Sequence, residues 1–167
     1  GLNREAAYMF QQDALLPWKT VEENAAFGLL LQGRATASAA AWLRRTGLER
    51  FAHSYPHELS GGMRKRVALA QCLAIEPKLL LMDEPFSALD VHTRIRMEQE
   101  LLDLWASLRN TVLFITHDLE EAIALYDEVF VLSAGPSSRI AGHYTIDLPR
   151  PRALLYLKTD SRFVTLY

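Results

Sequence analysis

The chain has 167 residues, 50% apolar and 23% charged, which is enough for one buried core and too little for two comfortable domains. Its 18 Lys+Arg and 20 Asp+Glu leave a formal charge of -2, which excludes a generic nucleic-acid binder held by a strongly basic surface. Cys72 is the single cysteine, so an internal disulfide framework and a multi-cysteine zinc site are excluded too. The longest apolar runs, such as Ala25–Leu31, fall short of the roughly 18 residues a membrane span needs. The opening Gly-Leu-Asn-Arg-Glu lacks the pattern of a secretory signal. The expectation is one soluble domain in a reduced, cytosolic compartment.

In chain order, Ala6–Phe10 reads as a short strand and Gln11–Trp18 as a loop, by its Pro and polar content. Thr20–Arg34 has a helical pattern, with Thr20 as N-cap and Glu23 as its capping-box partner. Ala35–Thr46 is an Ala-rich helix stopped by Gly47, and residues 48–58 give a short helix and a turn at Pro56. Ser60–Ile75 reads as a helix capped by Ser60, with Pro77 just past its end. Leu79–Met82 is a continuous apolar run, predicting a strand buried on both faces. Apolar residues at 91, 95, 101, 102, 105 and 108 predict an amphipathic helix over Val91–Leu108. Thr111–Ile115 then predicts a second buried strand, Leu119–Tyr126 a helix, and Glu128–Leu132 a third strand. Ser133–Ser138 is a turn, Ile140–Leu148 an edge strand, and the basic tail after Pro149 is weakly patterned. This alternation predicts a parallel sheet with helices on its faces, interrupted by an inserted helical subdomain.

Two segments carry chemistry. Leu59-Ser60-Gly61-Gly62-Met63-Arg64-Lys65-Arg66 opens a helix, whose unpaired N–H groups and partial positive charge suit an anion. Gly61 and Gly62 allow close approach and Ser60 adds a hydroxyl, so the turn can hold a phosphate; the plainer alternative is a capped helix. Leu79-Leu80-Leu81-Met82-Asp83-Glu84-Pro85 is an apolar strand ending in two carboxylates, at the end where doubly wound sheets bind ligands. Asp83 there can ligate Mg2+, and Glu84 can orient and polarise a water.

The extended string Leu59–Ala70 resembles the signature motif of ATP-binding-cassette (ABC) ATPases, and Leu79–Pro85 resembles a Walker B motif with its following glutamate. Ser87-Ala88-Leu89-Asp90 is similar to the D-loop, Thr116-His117-Asp118 to the segment of the switch histidine, and Gln11 after Tyr8-Met9-Phe10 to the Q-loop glutamine. Gln12 competes with Gln11 for that role; Gln11 is preferred because it directly follows the strand. The loop Leu15-Leu16-Pro17-Trp18-Lys19 and the stretch Asp83–Asp90 look most like nitrate/sulfonate/taurine importers.

The resemblance implies an α/β P-loop NTPase (RecA-like) parallel sheet, incomplete, with an inserted α-helical signature subdomain. Residues 1–19 and 76–150 form the partial core, 20–75 the helical subdomain, and 151–167 a tail. It further implies ATP and Mg2+ as ligands and a head-to-tail homodimer around two composite sites. Gln11, Asp83, Glu84 and His117 would act in cis; Ser60, Gly61 and Gly62 would cover the γ-phosphate from the second subunit, with Asp90 at the nucleotide and dimer interface. Asp83 and Gln11 would hold the metal. A membrane permease would dock on the Q-loop and helical subdomain, at the cytoplasmic face of the membrane. Trp18, Phe27 and the leucines at 29–31 are candidates for that contact or for the subdomain core. A non-catalytic interaction module, or a soluble ABC ATPase of repair or translation, stand as alternatives.

One expected motif is missing. Gly-x-x-x-x-Gly-Lys-[Ser/Thr] cradles phosphates in such enzymes. Gly28 and Gly33 have its glycine spacing, but Arg34-Ala35 follow, within a helical pattern. The expectation is an N-terminally truncated ATPase that does not bind ATP normally alone. The Arg64-Lys65-Arg66 cluster reads as a solvated face and Cys72 as core.

Overall fold

A computed structural model describes residues 5–105, 108, 110–150, 152, 154 and 163. The chain separates into two compact units, one of residues 1–97 and 108–115, the other of residues 98–107 and 116–167.

The first unit holds a three-stranded sheet in the order β1-β2-β3, with β1 at Ala6–Met9, β2 at Leu79–Asp83 and β3 at Thr111–Ile115. Both pairings are parallel, in register from Ala6 to Leu79 and from Leu79 to Thr111. Parallel neighbours need long crossovers. That between β1 and β2 contains helices α1 (Val21–Leu31), α2 (Ala37–Arg45) and α3 (Gly61–Ala74), with two 3-10 turns at Glu49–Phe51 and Pro56–Glu58. These replace the single short helix expected over 48–58. Helix α4 (Val91–Trp105) lies on the chain path between β2 and β3.

The three helices pack on one another, and α3 also meets β1. Leu29, Leu43, Leu48 and Leu69 are fully buried among them. Gly28 is needed for that packing: a Cβ there would come within 2.9 Å of the Ile75 Cγ2 methyl. Gly28 lies inside α1 and Gly33 just past it at φ 67, so this glycine pair is a helix and its exit, not a phosphate loop. Gly47, at φ 69, ends α2 as expected, since only glycine takes that conformation without cost.

Two strand expectations need correction. β2 alternates, with Leu80 and Met82 buried and Leu79, Leu81 and Asp83 half-buried. β3 is not a buried strand, because Leu113 and Ile115 are about half exposed, at 55% and 52%. Successive side chains point to opposite faces. Met9, Leu80, Met82 and Phe114 share the packed face, where Phe114 meets the buried Phe86 ring at 6.1 Å. Tyr8, Leu113 and Ile115 point the other way, which a run of unbroken apolar residues does not disclose. On α4, Val91 is likewise exposed, while Met97 and Leu101 are buried.

The second unit holds helix α5 (Leu119–Leu125) and strands β4 (Glu128–Leu132) and β5 (Ile140–Thr145). Sequence rhythm put β4 in the parallel sheet; instead it pairs antiparallel with β5 in a separate two-stranded sheet. The Ser-Gly-Pro turn explains this by closing a hairpin, with the Ser133 amide donating to the Arg139 carbonyl at 2.9 Å. Leu102, Ile123, Leu125, Ile146 and Leu148 form the core of this unit. The buried Arg152 guanidinium donates to the carbonyls of Tyr126 at 2.8 Å and Leu148 at 3.1 Å, tying the end of α5 to the segment after β5. Most of the expected tail, 151–167, lies outside the described residues. No helix among the described residues is long and apolar enough to cross a membrane.

Candidate functional site

Residues from the carboxyl ends of β1 and β2 converge. Asp83 is the last residue of β2, and its Oδ2 accepts a 3.0 Å hydrogen bond from the Tyr8 hydroxyl on β1. That bond, which Asp83 accepts, pushes the Tyr8 phenol above its ordinary pKa, with some desolvation adding to it. Gln11 follows β1, and its Nε2 donates to Glu84 Oε2 at 3.2 Å and reaches Ser87 Oγ at 3.4 Å. The structure therefore gathers Gln11, Asp83 and Glu84, in the first unit, with Tyr8 and Ser87 beside them.

Glu84 is held tightly. Its φ of 38° lies in the left-handed region, costly for a residue with a side chain and more so before Pro85. Backbone bonds hold it there: the Glu84 amide donates to the Ile115 carbonyl at 2.9 Å, and its own carbonyl accepts from Ser87 Oγ at 3.0 Å and the Ser87 amide at 3.3 Å. The first continues the β2–β3 ladder, in which Asp83 is opposite Ile115. Such strain is characteristic of functional positions.

Ser60 caps α3, its Oγ accepting from the Met63 amide at 3.3 Å. Gly61 and Gly62 form the first turn. Sequence reasoning gave both glycines to anion approach, and the structure adds a packing role. A Cβ on Gly62 would stand 2.8 Å from the Thr93 methyl, and one on Gly61 would touch Leu89 at 3.8 Å. The turn thus sits against Leu89 and Thr93, on either side of Asp90 in sequence. Asp90 Oδ1 accepts from the Thr93 amide at 3.0 Å, opening α4. Bonds from the Thr93 side chain and amide, partly offset by burial, keep the Asp90 carboxyl below its usual range.

His117 lies in the second unit, two residues past β3, and is exposed. It belongs to a tight turn in which Thr116 Oγ1 accepts from the Asp118 amide at 3.0 Å, and Asp118 caps α5 through the Glu121 amide at 3.2 Å.

The expected solvated face at Arg64-Lys65-Arg66 is corrected. Lys65 is only 3% exposed; its Nζ lies 3.1 Å from Asp13 Oδ1 and donates to the Gln11 carbonyl. Arg64 Nε binds Asp13 Oδ2 at 2.9 Å, and its Nη1 donates to the Leu59 carbonyl at 2.8 Å. Helical placement alone put these charges in water; a carboxylate 51 residues away in sequence draws Arg64 and Lys65 inward.

Asn24 was also missed. Fully buried, it accepts from the Leu16 amide at 2.8 Å and donates to the carbonyls of Leu16, Lys19 and Thr20 at 3.1, 3.0 and 2.9 Å. It fixes the loop that presents Trp18, 70% exposed. The capping box of Thr20 and Glu23 is present and starts α1 at that loop. Among the apolar candidates here, Trp18, Leu30 and Leu31 are exposed, Phe27 is half-buried, and Leu29 is core.

Comparison with known proteins names the class. The family model described as ABC transporter matches residues 1–87, just over half the chain, and the chain belongs to that family. It is 47% identical over 153 residues to the nitrate import ATP-binding protein NrtD of Synechocystis sp., covering 89% of this chain and 57% of that protein. It is 46% identical over 140 residues to the taurine import ATP-binding protein TauB of Yersinia pestis, covering 81% of this chain and 55% of that one. Among solved structures it is similar to cbiO1 from Clostridium perfringens, part of the ABC transporter complex cbiONQ. The TM-score is 0.69 and the identity 29%, covering 76% of this chain and 53% of that one. The fold is that of this ABC ATPase, a P-loop NTPase fold. The chain spans little more than half the length of these relatives.

Proposed function

We propose that this chain is the greater part of an ATP-hydrolysing subunit that powers an importer of the nitrate/sulfonate/taurine type. The observation that carries this is the contact of Gln11 with Glu84 beside Asp83, at the carboxyl end of the parallel sheet. In this reading Glu84 accepts a proton from the water that attacks the γ-phosphate, and Gln11 orients that water. His117 takes the role of the family's switch histidine in this reading, on the resemblance of Thr116-His117-Asp118. Ser60, Gly61 and Gly62 of a second, head-to-tail subunit cover the γ-phosphate, with Asp90 at the interface. The work is positioning and electrostatics around an in-line transfer.

The donor set fits Mg2+. That ion takes one or two carboxylates, keeps waters and shares phosphate oxygens, and Asp83 with Gln11 offers one carboxylate and one amide. When bound, Mg2+ neutralises charge on the phosphates. Among the described residues no group of three or more His, Cys, Asp or Glu is placed to hold a metal ion. The glycine loop that cradles the phosphates falls outside the 167 residues in this reading.

Residues 1–19 and 76–150 serve as ATPase core and residues 20–75 as the helical subdomain ending in α3. The subunit docks on its permease at the cytoplasmic face of the membrane. Exposed Trp18, Leu30 and Leu31 support docking through the Q-loop and this subdomain. The test is uptake by vesicles holding the full-length subunit, its permease and a solute-binding protein. ATP-driven accumulation of nitrate, an alkanesulfonate or taurine, lost with Glu84→Gln, is expected. ATP turnover with no uptake of any of the three contradicts the importer assignment.

A further inference from the structure

Lys65 is a buried cation whose contacts lead directly to Gln11. Removing an ammonium from water is costly unless it is paired, so a 3%-exposed lysine marks a site where geometry is enforced. It donates to the main-chain carbonyl of Gln11, the residue whose side chain meets Glu84. It pairs with Asp13, whose other oxygen takes Arg64, and Arg64 in turn holds the Leu59 carbonyl just before Ser60. Ala14, next to Asp13, is fixed at φ 48, so the loop turns sharply at the same point. One continuous path runs from Leu59 through Arg64, Asp13 and Lys65 to Gln11 and Glu84.

We propose that Asp13, Arg64 and Lys65 form a positioning clamp that ties the Ser60–Gly62 turn to Gln11 and so sets the Gln11–Glu84 contact. A displacement of the first turn of α3 then carries the Gln11 backbone with it. None of the three touches reacting atoms; they are positioning residues. The inference rests on the reading that Gln11 and Glu84 act on the attacking water, and it adds the residues that couple them to the signature turn.

The test uses the full-length subunit assembled with its permease. Hydrogen exchange at residues 10–14 reads the clamp itself, and kcat and KM for Mg-ATP read its consequence. Lys65→Met and Asp13→Asn are each expected to speed exchange there and to lower kcat about tenfold or more, with KM changing much less. The double variant is expected to be no worse than the more impaired single one, because the Asp13–Lys65 link is lost in both. Lys65→Gln keeps one donor for the Gln11 carbonyl and is expected to fall between. Asp13→Asn is isosteric and keeps the fold accessible should Lys65→Met fail to assemble. Unchanged exchange at residues 10–14, or kcat within about twofold of the parent in both single variants, overturns the clamp. Faster exchange and lower kcat in the clamp variants, with Glu84→Gln still turning over ATP, would instead overturn the reading of Glu84 beneath it.

Discussion

Removing the Asn24 amide is expected to loosen the loop at Leu16–Thr20. In Asn24→Ala four hydrogen bonds disappear. Two of the losses are cushioned: the Leu16 carbonyl also accepts from the Lys19 amide at 3.1 Å, and the Thr20 carbonyl from the Asn24 amide at 2.9 Å. The Leu16 amide and the Lys19 carbonyl carry the main loss. At about 1 kcal/mol per net bond plus desolvation of the stranded groups, the cost is about 2–4 kcal/mol. Asn24→Asp sharpens the test. The introduced carboxylate still accepts from Leu16 but turns its second oxygen onto three carbonyls, so its charged form is disfavoured in the folded state. Its folded pKa is therefore raised above the ordinary value of about 4, and stability is fully present below that value and lost as pH rises through the folded pKa. Urea denaturation of purified parent and variants, followed by circular dichroism from pH 4 to pH 7, measures both effects. Asn24→Ala within about 0.5 kcal/mol of the parent, or Asn24→Asp gaining relative stability towards pH 7, refutes the argument.

Three further outcomes follow from the packing. Gly28→Ala places a methyl 2.9 Å from Ile75 Cγ2 and is expected to destabilise by about 1–3 kcal/mol, with recovery in the Gly28→Ala/Ile75→Ala pair; urea midpoints check it. Burial raises the Cys72 thiol to about 12, so it stays protonated near neutral pH and is expected to react with a maleimide only as urea opens the fold. Arg152→Met leaves the Tyr126 and Leu148 carbonyls without this donor and is expected to lower stability by about 2–4 kcal/mol, read by thermal melting.

What the sequence disclosed is what local chemistry writes down. Thr20 and Glu23, Ser60 and Gly47 are local signals, and each ends or begins a helix as expected. The strands were placed correctly along the chain because apolar runs mark them. Their environments were not legible: Leu113 and Leu80 look alike in sequence, and only tertiary packing separates a covered face from an open one. Nor was the pairing of β4, where a local hairpin won over alternation. At the candidate site, Asp83 and Glu84 stood out as acids ending an apolar run, while Tyr8, Asn24, Asp13 and Lys65 did not. Their roles arise from contacts across separations such as 75 residues for Tyr8 and Asp83, and no spacing rule reports those. Lys65 illustrates the point best, since a charged residue between two others on a helix gives no local sign that a loop carboxylate will bury it.

In the proposed function Glu84 is the base of an ATP-hydrolysing site. The most direct measurement compares Mg-ATP binding with Mg-ATP turnover for the full-length parent and Glu84→Gln. The substitution keeps the size of the side chain and a carbonyl acceptor for the Gln11 amide but cannot take a proton. Turnover is expected to fall by about 100-fold or more while the dissociation constant for Mg-ATP changes little. Turnover within a few-fold of the parent would contradict that role.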